Sequence, residues 1–263
     1  MATKGKVQFE NVKAEETLVW LRAVTKQFPG NPLPTLDCVD YEIFPEKIHT
    51  ILGFSGGGKS VTLKMILGLL KADSGQIRVL GQDMSKLEGN ALNSLRRRFG
   101  MLFQGAALFD SLTVFDNVAF PLRECRKDWG EEKISLRVKE LLDQVELDLA
   151  AQKMPSELSG GMKKRVAMAR AIALEPDLLL FDEPTTGLDP VTSEIIDDLI
   201  VDTTRKLAAG ALIISHNIHA ALRISDFVSM IVDGKIIERG TPSQFVESED
   251  PRVRRFLKSA GVL

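Results

Sequence analysis

Residues Gly53-Phe54-Ser55-Gly56-Gly57-Gly58-Lys59-Ser60 follow a short apolar run, Ile48–Leu52, and open a stretch of helical spacing, Lys59–Leu70. No other feature narrows the fold so far, because G-x-x-x-x-G-K-[ST] demands a strand ending, a tight glycine loop and a helix start in immediate succession. The glycines let consecutive backbone N–H groups turn inward around an anion, and the helix N-terminus adds its dipole. Lys59 supplies a point charge to β- and γ-phosphates, and Ser60 a hydroxyl to Mg2+. This loop announces a nucleoside triphosphate and says nothing of its purpose.

Composition removes several classes. Of 263 residues, 44% are apolar and 27% charged, a globular balance that rules out disorder and fibrous folds. A formal charge of -2 gives no reason to expect nucleic acid as a partner. Cys38 and Cys125 are too few for a disulfide scaffold and read as reduced thiols. The most apolar window, Val61–Leu70, is broken by Lys64 and falls short of the ~20 residues of a membrane span. Met1–Glu10 lacks the apolar stretch of a secretory signal. The expectation is a soluble protein that stays where it is made and meets membranes only through a partner.

Strands alternate with helices along the chain. Residues 17–28 are rich in β-branched and aromatic types and predict a strand, followed by a Pro/Gly turn over 29–34. Further strands are predicted at Ile77–Leu80, Leu178–Phe181 and Ala211–Ser215, and helices at Met162–Leu174, Pro190–Leu207 and Ile218–Ile224. Phe227–Val232 and Lys235–Arg239 form a hairpin about Asp233-Gly234. Between about 106 and 176 no strand is evident; Ile134, Val138, Leu141, Leu142 and Val145 recur at three and four, so this stretch reads as a helical insert. The whole argues for a mostly parallel α/β core.

Two further elements bear on chemistry. Leu178–Phe181 runs into Asp182 and Glu183, placing one carboxylate to hold Mg2+ and the next to orient an attacking water. Leu158-Ser159-Gly160-Gly161-Met162 opens a helix whose first turns carry Lys163, Lys164 and Arg165, with Ser159 as N-cap, and reads as a second anion receptor. From the far end of the insert it hardly reaches its own phosphate loop. A head-to-tail dimer resolves this, each turn closing over the nucleotide held by the other copy.

In this order the motifs resemble those of an ATP-binding-cassette ATPase, over about residues 17–240. The resemblance implies a P-loop NTPase of that type: a RecA-like core with an N-terminal antiparallel β subdomain and an α-helical signature subdomain. It divides the chain into an N-terminal extension (1–16), the ATP-binding core (17–105 and 176–240), the helical subdomain (106–175) and a C-terminal helical extension (241–263). It also implies roles. Gln104 contacts Mg2+ and water, Thr186–Asp189 communicates across the dimer, His216 meets the γ-phosphate, and Phe28 stacks on adenine. Val61 stands where many relatives carry a hydroxyl for the α-phosphate, the loss of one neutral hydrogen bond of about 0.5–1.5 kcal/mol. Catalysis falls to Glu183, His216, Lys59 and Gln104. Nucleotide binding falls to Phe28, the loop from Gly53 to Ser60, Val61 and the turn Ser159–Gly161. Mg2+ falls to Ser60, Gln104 and Asp182.

The signature with Met162, the stretch Ala107–Glu124 and the tail Asp250–Lys258 are similar to ATPases of the Mla and Mce phospholipid transporters. That resemblance implies a homodimer on a permease dimer at the cytoplasmic face of the bacterial inner membrane. It adds an Mce-domain lipid-binding protein, a small accessory subunit and no nucleic acid. Leu108, Phe109, Leu112, Val114 and Phe115 divide between ordinary packing and a groove for a permease helix. The tail, with Val253, Phe256 and Leu257 at i, i+3 and i+4, either packs on its own domain or staples the second subunit. Another cargo, an iron–sulfur assembly ATPase and a regulatory nucleotide-binding module remain as alternatives. The last conflicts with an intact Glu183 and His216.

Overall fold

The computed structural model describes residues 13–54 and 56–263; the N-terminal extension up to residue 12 and Ser55 lie outside the described residues. In chain order the strands are β1 (Val19–Lys26), β2 (Leu36–Ile43), β3 (Ile48–Leu52), β4 (Ser74–Val79), β5 (Gln82–Asp83), β6 (Phe99–Leu102), β7 (Leu178–Asp182), β8 (Gly210–Ser215), β9 (Phe227–Val232) and β10 (Lys235–Gly240). The α-helices are α1 (Lys59–Ile66), α2 (Gly89–Arg96), α3 (Val114–Cys125), α4 (Glu131–Gln144), α5 (Gly160–Ile172), α6 (Pro190–Lys206), α7 (Ile218–Ile224), α8 (Pro242–Val246) and α9 (Pro251–Ser259). They form two compact units: the residues through Asn93 with Gly210–Leu263, and Ser94–Ala209. The fold is the expected α/β class.

The first unit holds an antiparallel sheet, β2-β1-β4-β5. Its β1–β2 ladder runs from Val19↔Ile43 to Lys26↔Leu36 and bulges between Leu21 and Val24, where Ala23 has φ 48° and donates its N–H to Asp40 at 2.7 Å. The same unit holds β3 in parallel with both β8 and β9, and β10 antiparallel to β9. Every residue of β3 and β8 is buried, the near-continuous apolar run of a strand covered on both faces. The β9–β10 turn has φ 48° at Asp233 and 75° at Gly234, as a two-residue hairpin requires. A buried ionic knot also sits here: the Glu42 carboxylate is held between the guanidinium groups of Arg22 and Arg239, and Arg239 lies 4.7 Å above the Tyr41 ring.

The tail belongs to this unit. Val253, Phe256 and Leu257 join Leu52, Ile218, Ala221, Val228, Met230 and Phe245 in one buried cluster. α9 thus packs on its own unit.

The second unit pairs β6 with β7 in parallel, from Phe99↔Leu178 to Leu102↔Phe181, beside α3 to α6. Among its described residues no strand occurs between β6 and β7, so the insert is helical as expected. Gly100 is a matter of space: a Cβ there would meet Leu179 Cδ2 at 2.6 Å and the Ala171 carbonyl at 2.7 Å, so α5 lies hard against β6.

Candidate nucleotide-binding site

In the first unit, β3 and β8 run side by side with Leu52 opposite Ser215. Gly53 and His216 therefore leave adjacent strands at the same carboxyl end, the end where parallel sheets bind ligands. Gly56 has φ 84° and Gly58 φ 103°. At Gly58 a Cβ would fall 2.6 Å from Leu36 and 2.8 Å from the Thr35 carbonyl. Neither the dihedral nor the space admits a side chain there. Gly58 is the N-cap of α1 and offers no side-chain acceptor to the helix's first turn. The buried Lys59 ammonium donates to the Gly53 carbonyl at 2.6 Å and to the Phe54 carbonyl at 3.0 Å, so it lies inside the curl of the loop. An inward ammonium, left-handed glycines and an uncapped helix start fit a phosphate chain. Ser60 is exposed and Val61 half-buried. His216 is exposed; the neighbouring Asn217 caps α7 on Ala220 N–H at 3.1 Å. Phe28 lies just past β1, half-buried, with the Lys26 ammonium 5.7 Å from its ring.

The second unit repeats the register argument. Leu102 opposes Phe181, so Gln104 and the Asp182–Glu183 pair emerge from neighbouring strands at one end. Asp182 and Glu183 are half-buried and Gln104 is exposed. Glu183 has φ 49°, a left-handed conformation costly for a side-chain-bearing residue, and its carboxylate accepts from Thr186 Oγ1 at 3.0 Å. Among the described residues no group of three or more His, Cys, Asp or Glu is placed to hold a metal. The carboxylates of Asp182 and Glu183 at the end of β7 are the kind of donor through which Mg2+ is bound together with substrate phosphates.

Ser159 is the N-cap of α5, as its position implies, and accepts from Met162 N–H at 3.3 Å. Gly161 is fixed by packing, since a Cβ would sit 2.5 Å from Thr192 Cγ2 at the start of α6. Asp189 caps that helix on Thr192 N–H at 3.0 Å. Two of the three cations in the first turns of α5, Lys164 and Arg165, are engaged within the unit. Lys164, only 5% exposed, donates to the carbonyls of Gln104 and, at 3.4 Å, Phe103. Arg165 is engaged by the Val145 carbonyl at 3.1 Å and Glu146 at 2.6 Å. Burial pushes the Lys164 ammonium down to about 8, against the opposing pull of Asp182 and Glu183.

The sequence places Lys164 among the cations of the anion receptor and does not foresee its burial against the Gln104 carbonyl, because that partner is distant along the chain. The buried Asn117 escapes the sequence reading because nothing in its neighbours marks it. Its amide donates to the carbonyls of Phe109, Leu112 and Thr113 at 3.0–3.1 Å and accepts from Phe109 N–H at 2.8 Å, tying down the loop after Gln104. Of the apolar residues around that loop, Val114 is buried, Leu108, Leu112 and Phe115 are half-buried, and Phe109 is exposed with its ring 4.8 Å from the exposed Phe120.

Comparison with known proteins bears on this arrangement. The sequence pattern of the ABC transporter family matches residues 36–186. The chain is 45% identical, over 84% of both chains, to the intermembrane phospholipid transport system ATP-binding protein MlaF of Haemophilus influenzae. It is 42% identical to the protein of the same name from Escherichia coli, over 80% of this chain and 78% of that one. Among solved structures, the dimeric post-hydrolysis state of the ATP-binding cassette MJ0796 bound to ADP and Pi superposes with a TM-score of 0.78 at 30% identity, covering 85% of this chain and 98% of the other.

Proposed function

This chain belongs to the ABC transporter family, and on that premise we propose that it is the ATP-hydrolysing subunit of a phospholipid transporter, a homodimer driving a membrane permease. ATP is its substrate and Mg2+ its cofactor. The observation that carries the reading is the strand-end register: the phosphate loop and His216 leave one pair of parallel strands together, and Gln104 and Glu183 leave another. The likeness to phospholipid-transport ATPases supports the cargo.

The Gly53–Ser60 loop and Val61 receive the phosphates, Lys59 neutralises the β- and γ-oxygens, and Phe28 stacks on adenine. Ser60, Gln104 and Asp182 are the proposed Mg2+ ligands; an ion held there would supply positive charge against the phosphate oxygens. Glu183 accepts a proton from the attacking water, while Lys59 and His216 offset charge gathering on the γ-phosphate. Ser159, Gly160 and Gly161 of each protomer close over the ATP held by the other. Hydrolysis then removes the phosphate that joins the halves, and their parting is the stroke passed to the permease. No helix among the described residues is long and apolar enough to cross a membrane. The exposed Phe109 and Phe120, their rings 4.8 Å apart, offer an apolar seat for a permease helix. The setting that suits these parts is the cytoplasmic face of a bacterial inner membrane, with an Mce-domain lipid-binding protein and a small accessory subunit completing the assembly.

Reconstitution of the permease complex in liposomes tests both halves. ATP-dependent transfer of fluorescent phospholipid is expected, with Glu183→Gln retaining ATP, losing turnover and trapping a dimer. Hydrolysis without lipid movement would remove the cargo assignment; full turnover in Glu183→Gln would remove the residue's role.

A further inference from the structure

The C-terminal helix touches the phosphate loop. Phe54, the loop's second residue, is 61% exposed, and its ring meets that of Phe256 on α9 at 5.5 Å between centroids and 86° between planes, an edge-to-face pair. Phe256 is only 8% exposed, and its neighbours on α9, Val253 and Leu257, are fully buried against Leu52, Val228, Met230 and Phe245. The helix is thereby anchored by its own core, and Leu52 of that core is the residue immediately before Gly53. Phe54 is tied into the loop through its backbone: its carbonyl accepts from Gly57 N–H at 3.2 Å and from the Lys59 ammonium at 3.0 Å. The Phe54 ring and this carbonyl belong to one residue, so a contact that holds the ring also restrains the backbone that positions the loop's turn and its lysine.

We propose that Phe256 is a positioning residue of the nucleotide site, acting through Phe54 to hold the first half of the phosphate loop in its ATP-binding shape, so that the C-terminal helix sets the affinity for ATP. An exposed aromatic on a glycine-rich loop has many rotamers and little to hold it. A ring presented edge-on by an anchored helix selects one of them before ATP arrives, and less ordering remains to oppose binding. The proposal rests on this loop binding ATP, which Lys59→Ala tests separately.

The experiment is a double-mutant cycle on the full-length protein, reading KM for ATP, kcat, Kd for ATP and thermal midpoint. The variants are Phe54→Ala, Phe256→Leu, Phe256→Tyr and Phe54→Ala with Phe256→Leu. Leucine keeps an apolar group in the core and removes the ring edge; tyrosine keeps the ring. Phe256→Leu is expected to raise Kd and KM about 2- to 10-fold, with a smaller change in kcat. Phe256→Tyr should restore wild-type affinity, and in the Phe54→Ala background Phe256→Leu should add no further loss. Unchanged affinity in Phe256→Leu, or the same fold-loss with and without Phe54, overturns the proposal. ATP binding that survives Lys59→Ala overturns instead the assignment of the loop on which it rests.

Discussion

Acid should weaken this protein through one imidazole. His49 lies on β3, the strand that delivers the phosphate loop, and is completely buried. Its Nε2 accepts the Phe44 backbone N–H at 3.1 Å, which leaves the proton on Nδ1, an atom with no hydrogen-bond partner among the described residues. Phe227 and Phe44 stand 5.0 and 5.6 Å from the ring, and Tyr41 stands 6.3 Å away. Burial, then the positive charges of Arg239 and Lys47, hold its pKa well below the ordinary 6.5. Protonation would cost the Phe44 bond its acceptor as well as bury a charge. Below about pH 6.5 the unfolded chain binds a proton that the folded chain refuses, so stability rises with pH up to that point and is lost as pH falls beneath it. One proton corresponds to about 1.36 kcal/mol per pH unit, hence about 2 kcal/mol between pH 6.5 and 5. His49→Gln retains an acceptor for Phe44 and does not titrate. Urea unfolding followed by Trp20, with Trp129 replaced by Phe so that only the first unit reports, should show the wild type losing that increment relative to His49→Gln. Carboxylates held low by their partners, such as Asp73 and Asp116, are common to both proteins and cancel. Stability curves that stay parallel from pH 8 to 5 would refute the reasoning.

Two other substitutions separate stability from activity. Lys164→Met removes a desolvated ammonium, so the fold should keep or gain stability, while freeing the Gln104 backbone should lower kcat about 10- to 100-fold at similar KM; a kcat within twofold of wild type would contradict it. Glu42→Ala leaves the buried Arg239 without its carboxylate and should destabilise by about 3–5 kcal/mol in urea titration, whereas a loss below about 1 kcal/mol would show that the knot is not needed.

How much of this was legible beforehand depends on whether a residue's role is local. The phosphate loop, β3, α7 and the β9–β10 hairpin were readable because a strand's apolar run, a glycine turn and helical spacing all lie within a few residues. β2 was not. Its alternation is disturbed by Asp37, Asp40 and Glu42, and Glu42 belongs indoors only because Arg22 and Arg239, distant in sequence, come to meet it. Likewise Lys164 reads as one cation in a basic run until α5 is laid against β6. The tail's helix was legible from its period, but its destination was not, since an amphipathic stripe specifies a face and never a partner.

The contact between Gly161 and Thr192 has a mechanical corollary. Two helix beginnings, one carrying the serine-glycine turn and the other following the Thr186–Asp189 loop, meet with only a hydrogen atom's room between them. A tilt of either end toward the other presses Gly161 against the Thr192 methyl, so the two helix starts are coupled sterically at this one point.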